Sequence, residues 1–490
     1  MLKLIVPALI LLLLNTDLLF GQIYPNIYRT PGQDWQELQT EHFRILFPSD
    51  AESDAIRTAR RLELEYPNVQ RLTGGTLRNF PFILNTKNDL SNGFVSPLPF
   101  RAEVDVPASA GKSMNPRSGD WLEHVITHEL VHALHMNVNP FGLTSLIGLY
   151  SPDLRRSVHS AAPLGILEGV AVEYESHQYR PNGGRGNYPW FTQQFHSNAA
   201  SGNRWSMGEL FQFSSQTLPF DRHYIGGYFF THWLVQTYGD EAVRKSISLH
   251  YQLPFLGYGF ALRNVTGKWP SELYQDFTEE TRGFRSPGAE ETAPIRPILQ
   301  DAQTPLKGVR IRRPLWLSEE SLLFHGRFYN SPTGFYRFSL ENERAELLTE
   351  LQPVEDYRYS YLPEENEILY SSYRADPLYD RTFTSDLYRY NLSAGSHSRI
   401  TSDERLYAPL PGPELLALQT HGSVSRLAAV NPENGTSEPY PELPPGVTIR
   451  EALRHPEDPA TVALIARIGT RQGIWVTSGE NLAHFTSEKP

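Results

Sequence analysis

The residues whose types and spacing most clearly point to chemistry lie in the stretch THELVHALHMN, residues 127–137. His128 and His132 are four positions apart, so on a helix they lie one turn apart on the same face. Two imidazoles in this arrangement can bind one Zn²⁺ through ring nitrogens, and Glu129 is placed to deprotonate a water molecule beside the ion. The HExxH pattern therefore predicts a metal centre with its own general base.

The surrounding sequence predicts that this stretch is a buried helix. Asp120 and Glu123 have the spacing of a capping box, so a helix is expected to begin at Trp121. Its other positions are mostly apolar, and buried histidine and glutamate side chains are costly unless they coordinate something. This favours a metal site over the alternative, a polar stripe on a surface helix. Since one ion cannot reach four histidines, His124 and His135 are expected to pack or to form hydrogen bonds.

The third ligand decides between classes of site. A metzincin needs glycine at position 135 and histidine at position 138, where this sequence has histidine and valine. The remaining option is a downstream carboxylate, and Glu168 supplies one in APLGILEGVAVEYES, 36 residues after His132. Glu173 and Glu175 on the same predicted helix remain alternatives. Glu175 shares a face with Glu168 and could instead orient a ligating histidine.

At these residues a family resemblance emerges. HELVH followed by LEGVAVEYE resembles the gluzincin, or peptidase MA-like, metallopeptidases, which include the M1 aminopeptidases. The resemblance covers roughly residues 35–285 and implies an α+β zincin-type metallopeptidase domain. It also implies that His128, His132 and Glu168 bind Zn²⁺ and that Glu129 is the general base.

Peptide hydrolysis also needs a group that stabilises the oxyanion. Tyr224-x-x-Gly227, which begins 56 residues after Glu168, resembles the M1-like segment whose tyrosine has this role. Gly226 stands where those enzymes often have lysine, so His223 remains a competitor, and a packing role for Tyr224 remains open.

The segment NGFVSPLPFRAEVDV, residues 92–106, precedes the predicted metal helix. The resemblance implies that such a strand lies at a sheet edge and pairs with the substrate backbone. The Gly-x-Met-Glu-Asn motif that grips a free amino terminus in M1 aminopeptidases is missing from the sequence. An endopeptidase is therefore favoured over an aminopeptidase.

The secondary-structure patterns along the chain predict two domains. Residues 22–285 carry mixed α and β patterns, and in the first long helix Ala55, Ala59, Leu62 and Leu64 are expected to contribute to one face. A linker rich in proline, alanine and acidic residues follows at 286–308, and residues 309–490 form an all-β region.

The all-β region contains four similar pairs of strand-like segments. The second segments recur at Tyr336, Tyr388, Ala428 and Trp475, which gives spacings of 52, 40 and 47 residues. Such periods are typical of propeller blades, and DLYRYNLSAGSHSRITSD resembles the TolB-type, WD40-like repeats. About four blades are expected, in a small or an incomplete propeller. An open β-sandwich is the alternative.

The amino terminus predicts export. In residues 1–21, Lys3 precedes an apolar run and Gly21 follows it, as in a secretory signal peptide, although an uncleaved anchor is the alternative. No later apolar run is long enough to cross a bilayer, so a soluble periplasmic or extracellular protein is expected.

Composition excludes several functions. The net charge of −11 and the lack of a long basic run argue against nucleic acid as a partner. The absence of cysteine excludes disulfides and thiolate metal sites. Together these features predict an exported zinc metallopeptidase whose propeller recruits a peptide or protein substrate or a protein partner. The alternative is a non-catalytic propeller-bearing scaffold protein with a structural metal site.

Overall fold

The computed structural model describes residues 29–108, 121–178, 183–200, 202, 204–213, 219, 221–281, 306, 310–354, 358–379, 382–440, 446–468, 471–478 and 481–484. The predicted signal peptide and Asp120 lie outside these residues, as does the predicted linker except for Leu306. Within the described ranges, every helix is too short or too polar to cross a membrane.

The first part of the chain, residues 29–281, is an α/β region built around one mixed sheet. Its strands are β1 Trp35–Gln39, β2 Phe43–Pro48, β3 Phe80–Asn85, β4 Gly93–Pro97 and β5 Phe100–Asp105. The order is β1-β2-β3-β5-β4, with β2, β3 and β5 parallel and an antiparallel strand at each edge. The segment 92–106 thus forms two paired strands, β4 and β5. Of these two, β4 lies at the sheet edge and β5 lies inside the sheet.

Helix α1, Glu52–Thr73, lies between β2 and β3 in sequence, and the other helices follow β5. In the described residues these are α2 Trp121–Met136, α3 Leu143–Tyr150, α4 Pro152–Ser157, α5 Leu164–Glu173, α6 Pro189–Ala200, α7 Met207–Phe211, α8 Arg222–Tyr238, α9 Asp240–Gln252, α10 Gly257–Thr266 and α11 Pro270–Glu280. A π-helical turn, Tyr174–Gln178, continues α5.

Helix α1 shows one error in the sequence reading. Ala55, Ala59 and Leu62 are buried as expected, but Leu64 is 64% exposed. Residues two positions apart lie about 200° apart around a helix, so Leu62 and Leu64 cannot share a face. Tyr66, four residues after Leu62, is buried on the inner face instead.

Helices α5 and α8 cross at three glycines that let their backbones touch. A methyl group on Gly227 would lie 1.9 Å from the carbonyl oxygen of Gly165, and one on Gly169 would lie 2.3 Å from that of Gly227. Only glycine fits at such a crossing. The crossing brings Glu168 on α5 close to the first turn of α8.

The second part of the chain folds into four four-stranded antiparallel sheets that follow one another in sequence. The strands are β6 Arg310–Ser318, β7 Ser321–Arg327, β8 Gly334–Ser339, β9 Arg344–Glu350, β10 Ser360–Leu362, β11 Glu367–Ala375, β12 Phe383–Asn391, β13 Ser396–Arg399, β14 Leu406–Leu410, β15 Leu415–His421, β16 Val424–Val430, β17 Ser437–Pro439, β18 Val447–Arg454, β19 Thr461–Ile468, β20 Arg471–Ser478 and β21 Asn481–His484.

The four segment pairs predicted from sequence form the second and third strands of these sheets. Tyr336 pairs with Phe324, and Tyr388 pairs with Tyr370, as expected for blade hairpins. The first strands of the sheets converge on a cavity of about 280 Å³, lined by Arg313, Ser360, Leu410 and Leu453 among others. This is a propeller-like arrangement of four blades, and not the open sandwich.

The two regions touch at the loop before β4. The backbone N–H of Asp89 donates to the carbonyl oxygen of Phe383 at 2.8 Å. Its carboxylate accepts from the backbone N–H of Ser385 at 2.9 Å and from Nε of Arg405 at 2.6 Å. Asp89 is buried, so the propeller-like region fixes the loop that leads into the edge strand.

Candidate metal centre

Helix α2 carries the HExxH residues and is buried on nearly every side. Its first residue, Trp121, donates its ring N–H to the carbonyl oxygen of Asp105 at the end of β5, at 2.7 Å. From His124 to Met136 each residue is buried. The prediction of a buried helix, made from its apolar composition, is therefore confirmed. The helix is fixed against the sheet at its start.

His128, His132 and Glu168 converge and are here called the buried triad. The two histidine Nε2 atoms lie 3.1 Å apart, and Oε2 of Glu168 lies 3.2 Å from each. Ligands at 2.0–2.1 Å from a tetrahedral zinc ion are separated by about 3.3 Å. The three donor atoms therefore have the spacing and the chemistry that Zn²⁺ needs.

Two charged side chains support His128 from behind. The Nδ1–H of His128 donates to Oε2 of Glu175 at 3.1 Å, which fixes the tautomer and turns the Nε2 lone pair toward the triad. Nε of Arg185 donates to Oε1 of Glu175 at 2.8 Å. Although burial opposes it, Arg185 and His128 lower the pKa of the Glu175 carboxyl, which stays ionised. Glu175 thus has the orienting position considered from sequence.

Glu129 lies beside the triad and against the edge strand. Burial raises the pKa of its carboxyl, although His128 and His132 act in the opposite direction. A methyl group on Gly93, the first residue of β4, would lie 3.0 Å from Oε1 of Glu129 and 2.5 Å from a methyl carbon of Val125. The edge strand therefore begins directly over the candidate general base.

The crossing of α5 and α8 brings Tyr224 to the same place. Its ring lies 6.4 Å from that of His128, and Glu168 is close enough to act on the pKa of its hydroxyl. Burial and the charge of Glu168 raise the pKa of Tyr224, so it remains a donor. The competing His223 packs edge to face against Phe213, with ring centroids 5.6 Å apart, and at a tilt against Tyr224.

The other sequence candidates are separate from the triad. His135 packs against His159 with ring centroids 4.6 Å apart, and burial lowers its pKa to about 3, so it is neutral. Glu173 belongs to another group of side chains, with His177 and His232. Of the three glutamates considered as third ligand, Glu168 is the one next to both histidines.

Sequence reasoning missed Arg185 and Gly93. Arg185 lies in the turn GGRGN, and the guanidinium carbon lies 5.0 Å from the ring centre of Tyr224. Gly184 before it has φ +67°, and a side chain there would collide with the backbone of Glu175. A lone arginine between glycines was the available signal. Gly93 had none, because its closeness to Glu129 arises only in the folded chain.

Comparison with known proteins gives a fold likeness over about a third of the chain. No protein-family model matches the sequence, and no curated protein does. TolB from Acinetobacter baumannii is 15% identical with a TM-score of 0.29, over 36% of this chain and 44% of that one. A puromycin-hydrolyzing peptidase from Mycobacterium tuberculosis is 16% identical with a TM-score of 0.28, over 38% and 33%. An oligogalacturonate lyase in complex with manganese is 14% identical with a TM-score of 0.26, over 36% and 65%. At such identities and TM-scores these likenesses bear on no activity.

Proposed function

We propose that this protein is an exported, zinc-dependent metallopeptidase of the gluzincin type that cleaves internal peptide bonds. The supporting observation is the buried triad, whose three donor atoms lie 3.1–3.2 Å apart beside the buried carboxyl of Glu129. His128, His132 and Glu168 would hold the zinc ion. When bound, zinc would supply Lewis acidity toward a peptide carbonyl and a water molecule.

Glu129 is the proposed general base. A carboxylate whose pKa is raised by burial takes a proton from water more readily than an exposed glutamate does. Once protonated, the same group can pass that proton to the departing amine. One side chain would then serve both halves of the hydrolysis.

Tyr224 is the proposed oxyanion donor. Its raised pKa keeps the hydroxyl protonated at neutral pH, and the hydroxyl lies next to Glu168 at the edge of the triad. Arg185 above its ring adds positive charge on the same side. A hydroxyl held in place before reaction can stabilise negative charge that develops on the substrate oxygen.

Strand β4 is the proposed substrate edge. It pairs with β5 on one side and ends the sheet order on the other. An extended peptide added to the free edge of β4 would pass near Gly93, and so near Glu129. This geometry suits an internal segment of polypeptide and is the reason for proposing an endopeptidase.

The propeller-like region is proposed to recruit protein substrate or a partner, and export is proposed from the signal-like residues 1–21. The competing proposal keeps the metal in a scaffold protein without catalysis. The presence of Glu129 favours the enzyme, because a structural zinc site has no need of a general base.

Glu129→Gln distinguishes these two proposals. We expect the variant to keep the wild-type zinc content, measured by elemental analysis, and to lose hydrolysis of unfolded casein and of quenched fluorescent peptides. Glu123→Gln, on the same helix, is the matched control and should keep both. If zinc-loaded wild type hydrolyses these substrates no faster than Glu129→Gln does, the scaffold proposal is favoured.

A further inference from the structure

A second group of metal-ligating side chains lies outside the buried triad. Glu173 at the end of α5, His177 in the π-helical turn and His232 on α8 are here called the rim cluster. The carboxylate of Glu173 is buried, with 6% of its side chain exposed. The two imidazoles are about one-third exposed, so solvent reaches the cluster from one side.

The donor atoms are close to ligand spacing. Nδ1 of His232 lies 3.1 Å from Oε2 of Glu173, and Nε2 of His177 lies 3.8 Å from the same oxygen. All three donors fall within 4.8 Å of one another. Donors bound to one zinc ion at 2.0–2.1 Å lie about 3.3 Å apart, so Nε2 of His177 has to approach the Glu173 carboxylate by roughly half an ångström.

His177 is free to make that adjustment. Its ring is stacked on that of His232, with centroids 4.4 Å apart, and its Nε2 lies 2.9 Å from the hydroxyl of Tyr228. The ring torsion of histidine has a broad energy well, and about one-third of this side chain is exposed. A small rotation exchanges the Tyr228 contact for a shared ion.

An ion pair between Glu173 and His232 explains only part of the cluster. That pair satisfies the buried carboxylate with one imidazole. It gives no role to His177, whose Nε2 lies 3.8 Å from the same carboxylate oxygen. A carboxylate flanked by two imidazoles is a ligand set that suits zinc and its neighbours in the first transition row.

We propose that Glu173, His177 and His232 bind a second divalent transition-metal ion, with zinc as the first candidate. The ion would link the end of α5 to α8, two turns beyond Tyr224. It would therefore brace the two helices that carry Glu168 and Tyr224 from outside the triad. The proposal does not depend on peptidase activity.

Metal counting on full-length protein tests it. Protein freed of metal by a chelator is dialysed against Zn²⁺, and bound zinc per chain is measured by elemental analysis. We expect two ions for wild type, one for Glu168→Ala, one for His177→Gln and none for the double variant. His196→Gln changes a half-buried histidine outside both clusters and should retain two ions.

Thermal unfolding gives a second readout. Zinc should raise the midpoint of Glu168→Ala, where only the rim cluster remains, and should leave that of Glu168→Ala/His177→Gln unchanged. His177 is partly exposed, so His177→Gln should fold even if a change at buried Glu173 does not.

Each result separates the two proposals. Suppose that wild type binds one ion, which is lost in Glu168→Ala and retained in His177→Gln. The rim cluster would then be an ion pair without a metal, and the peptidase proposal would be unaffected. One ion lost only in His177→Gln would support the rim site and count against the buried triad. Equal zinc in wild type and His177→Gln would also overturn the rim site.

Discussion

The buried triad and the rim cluster use the same kinds of ligand, two histidines and a glutamate, in different surroundings. The triad is buried, with 6–9% of each side chain exposed, and has donor separations of 3.1–3.2 Å. The rim cluster is open on one side and includes a separation of 3.8 Å. Behind His128 stand a buried glutamate and a largely buried arginine, whereas behind His177 stands one tyrosine.

The difference bears on how well each cluster is arranged for the metal ion proposed there. Ligand types alone are alike in the two clusters. The triad also has its ring orientation fixed by an outer carboxylate, and that carboxylate is fixed in turn by an arginine. We therefore expect the triad to bind zinc more tightly than the rim cluster, and three measurements can break or sharpen this contrast.

Glu175→Gln should have the largest effect on the contrast. It removes the charge that orients His128, so zinc affinity at the triad should fall by about 10- to 100-fold. It also leaves Arg185 without its buried counter-charge, which should lower the free energy of unfolding by about 3–5 kcal/mol. Zinc titration and chemical denaturation measure the two effects. Glu209→Gln at a partly exposed ion pair is the control, and equal affinity in both variants would contradict the orienting role.

Acidification should weaken the triad. Burial and Arg185 lower the pKa of His128, but Glu168 and Glu175 outweigh them and raise it to about 9. Below pH 9 the metal-free site thus holds a proton that zinc must displace, and apparent affinity should fall about tenfold per pH unit from 9 to 7. Titrating His177→Gln at several pH values isolates the triad. A flat profile over that range would disprove the raised pKa.

The same titration on Glu168→Ala isolates the rim cluster. There only His232 has a raised pKa, because of its hydrogen bond to Glu173, while burial lowers that of His177. His232 is partly exposed, so the rim profile should level off at a lower pH than the triad profile.

Of these changes, Gly227→Ala should have the smallest effect on zinc affinity at the triad. It should lower zinc affinity mainly at the rim cluster. The added methyl group would press on the carbonyl of Gly165 and push α8 away from α5. Overpacking of this kind costs about 1–3 kcal/mol. The rim spans both helices and should lose affinity, while the triad spans α2 and α5 and should largely retain it. Gly208→Ala is the control, since nothing lies within 4 Å of the added methyl. Equal losses at the two sites would show that the crossing supports both.

Several features could be predicted from sequence because they depend on spacing along one element. His128 and His132 share a helix face at a separation of four, and the four strand pairs of the propeller-like region follow from hairpin patterns. Helix α2 was recognised from its apolar positions for the same reason. Leu64 is exposed because a residue two positions after Leu62 lies about 200° further around the helix.

Other features could not be predicted, since they depend on elements far apart in the chain. Glu168, Glu173 and Glu175 were equal in kind, and only the packing of α5 against α2 brings Glu168 to both histidines. Arg185 enters through a glycine turn, and His232 through the crossing of α5 and α8.

By itself, the sequence determined the side-chain types of the buried triad, the HExxH helix, the mixed first region and the four-bladed pattern of the second. Those properties are local, because helical and strand periodicity put side chains on faces without reference to the rest of the fold. Only the tertiary structure decided which glutamate joins the histidines, what supports His128 and where the edge strand meets Glu129. The edge strand reaches Glu129 because Gly93 has no side chain, and helices α5 and α8 meet because Gly169 and Gly227 have none.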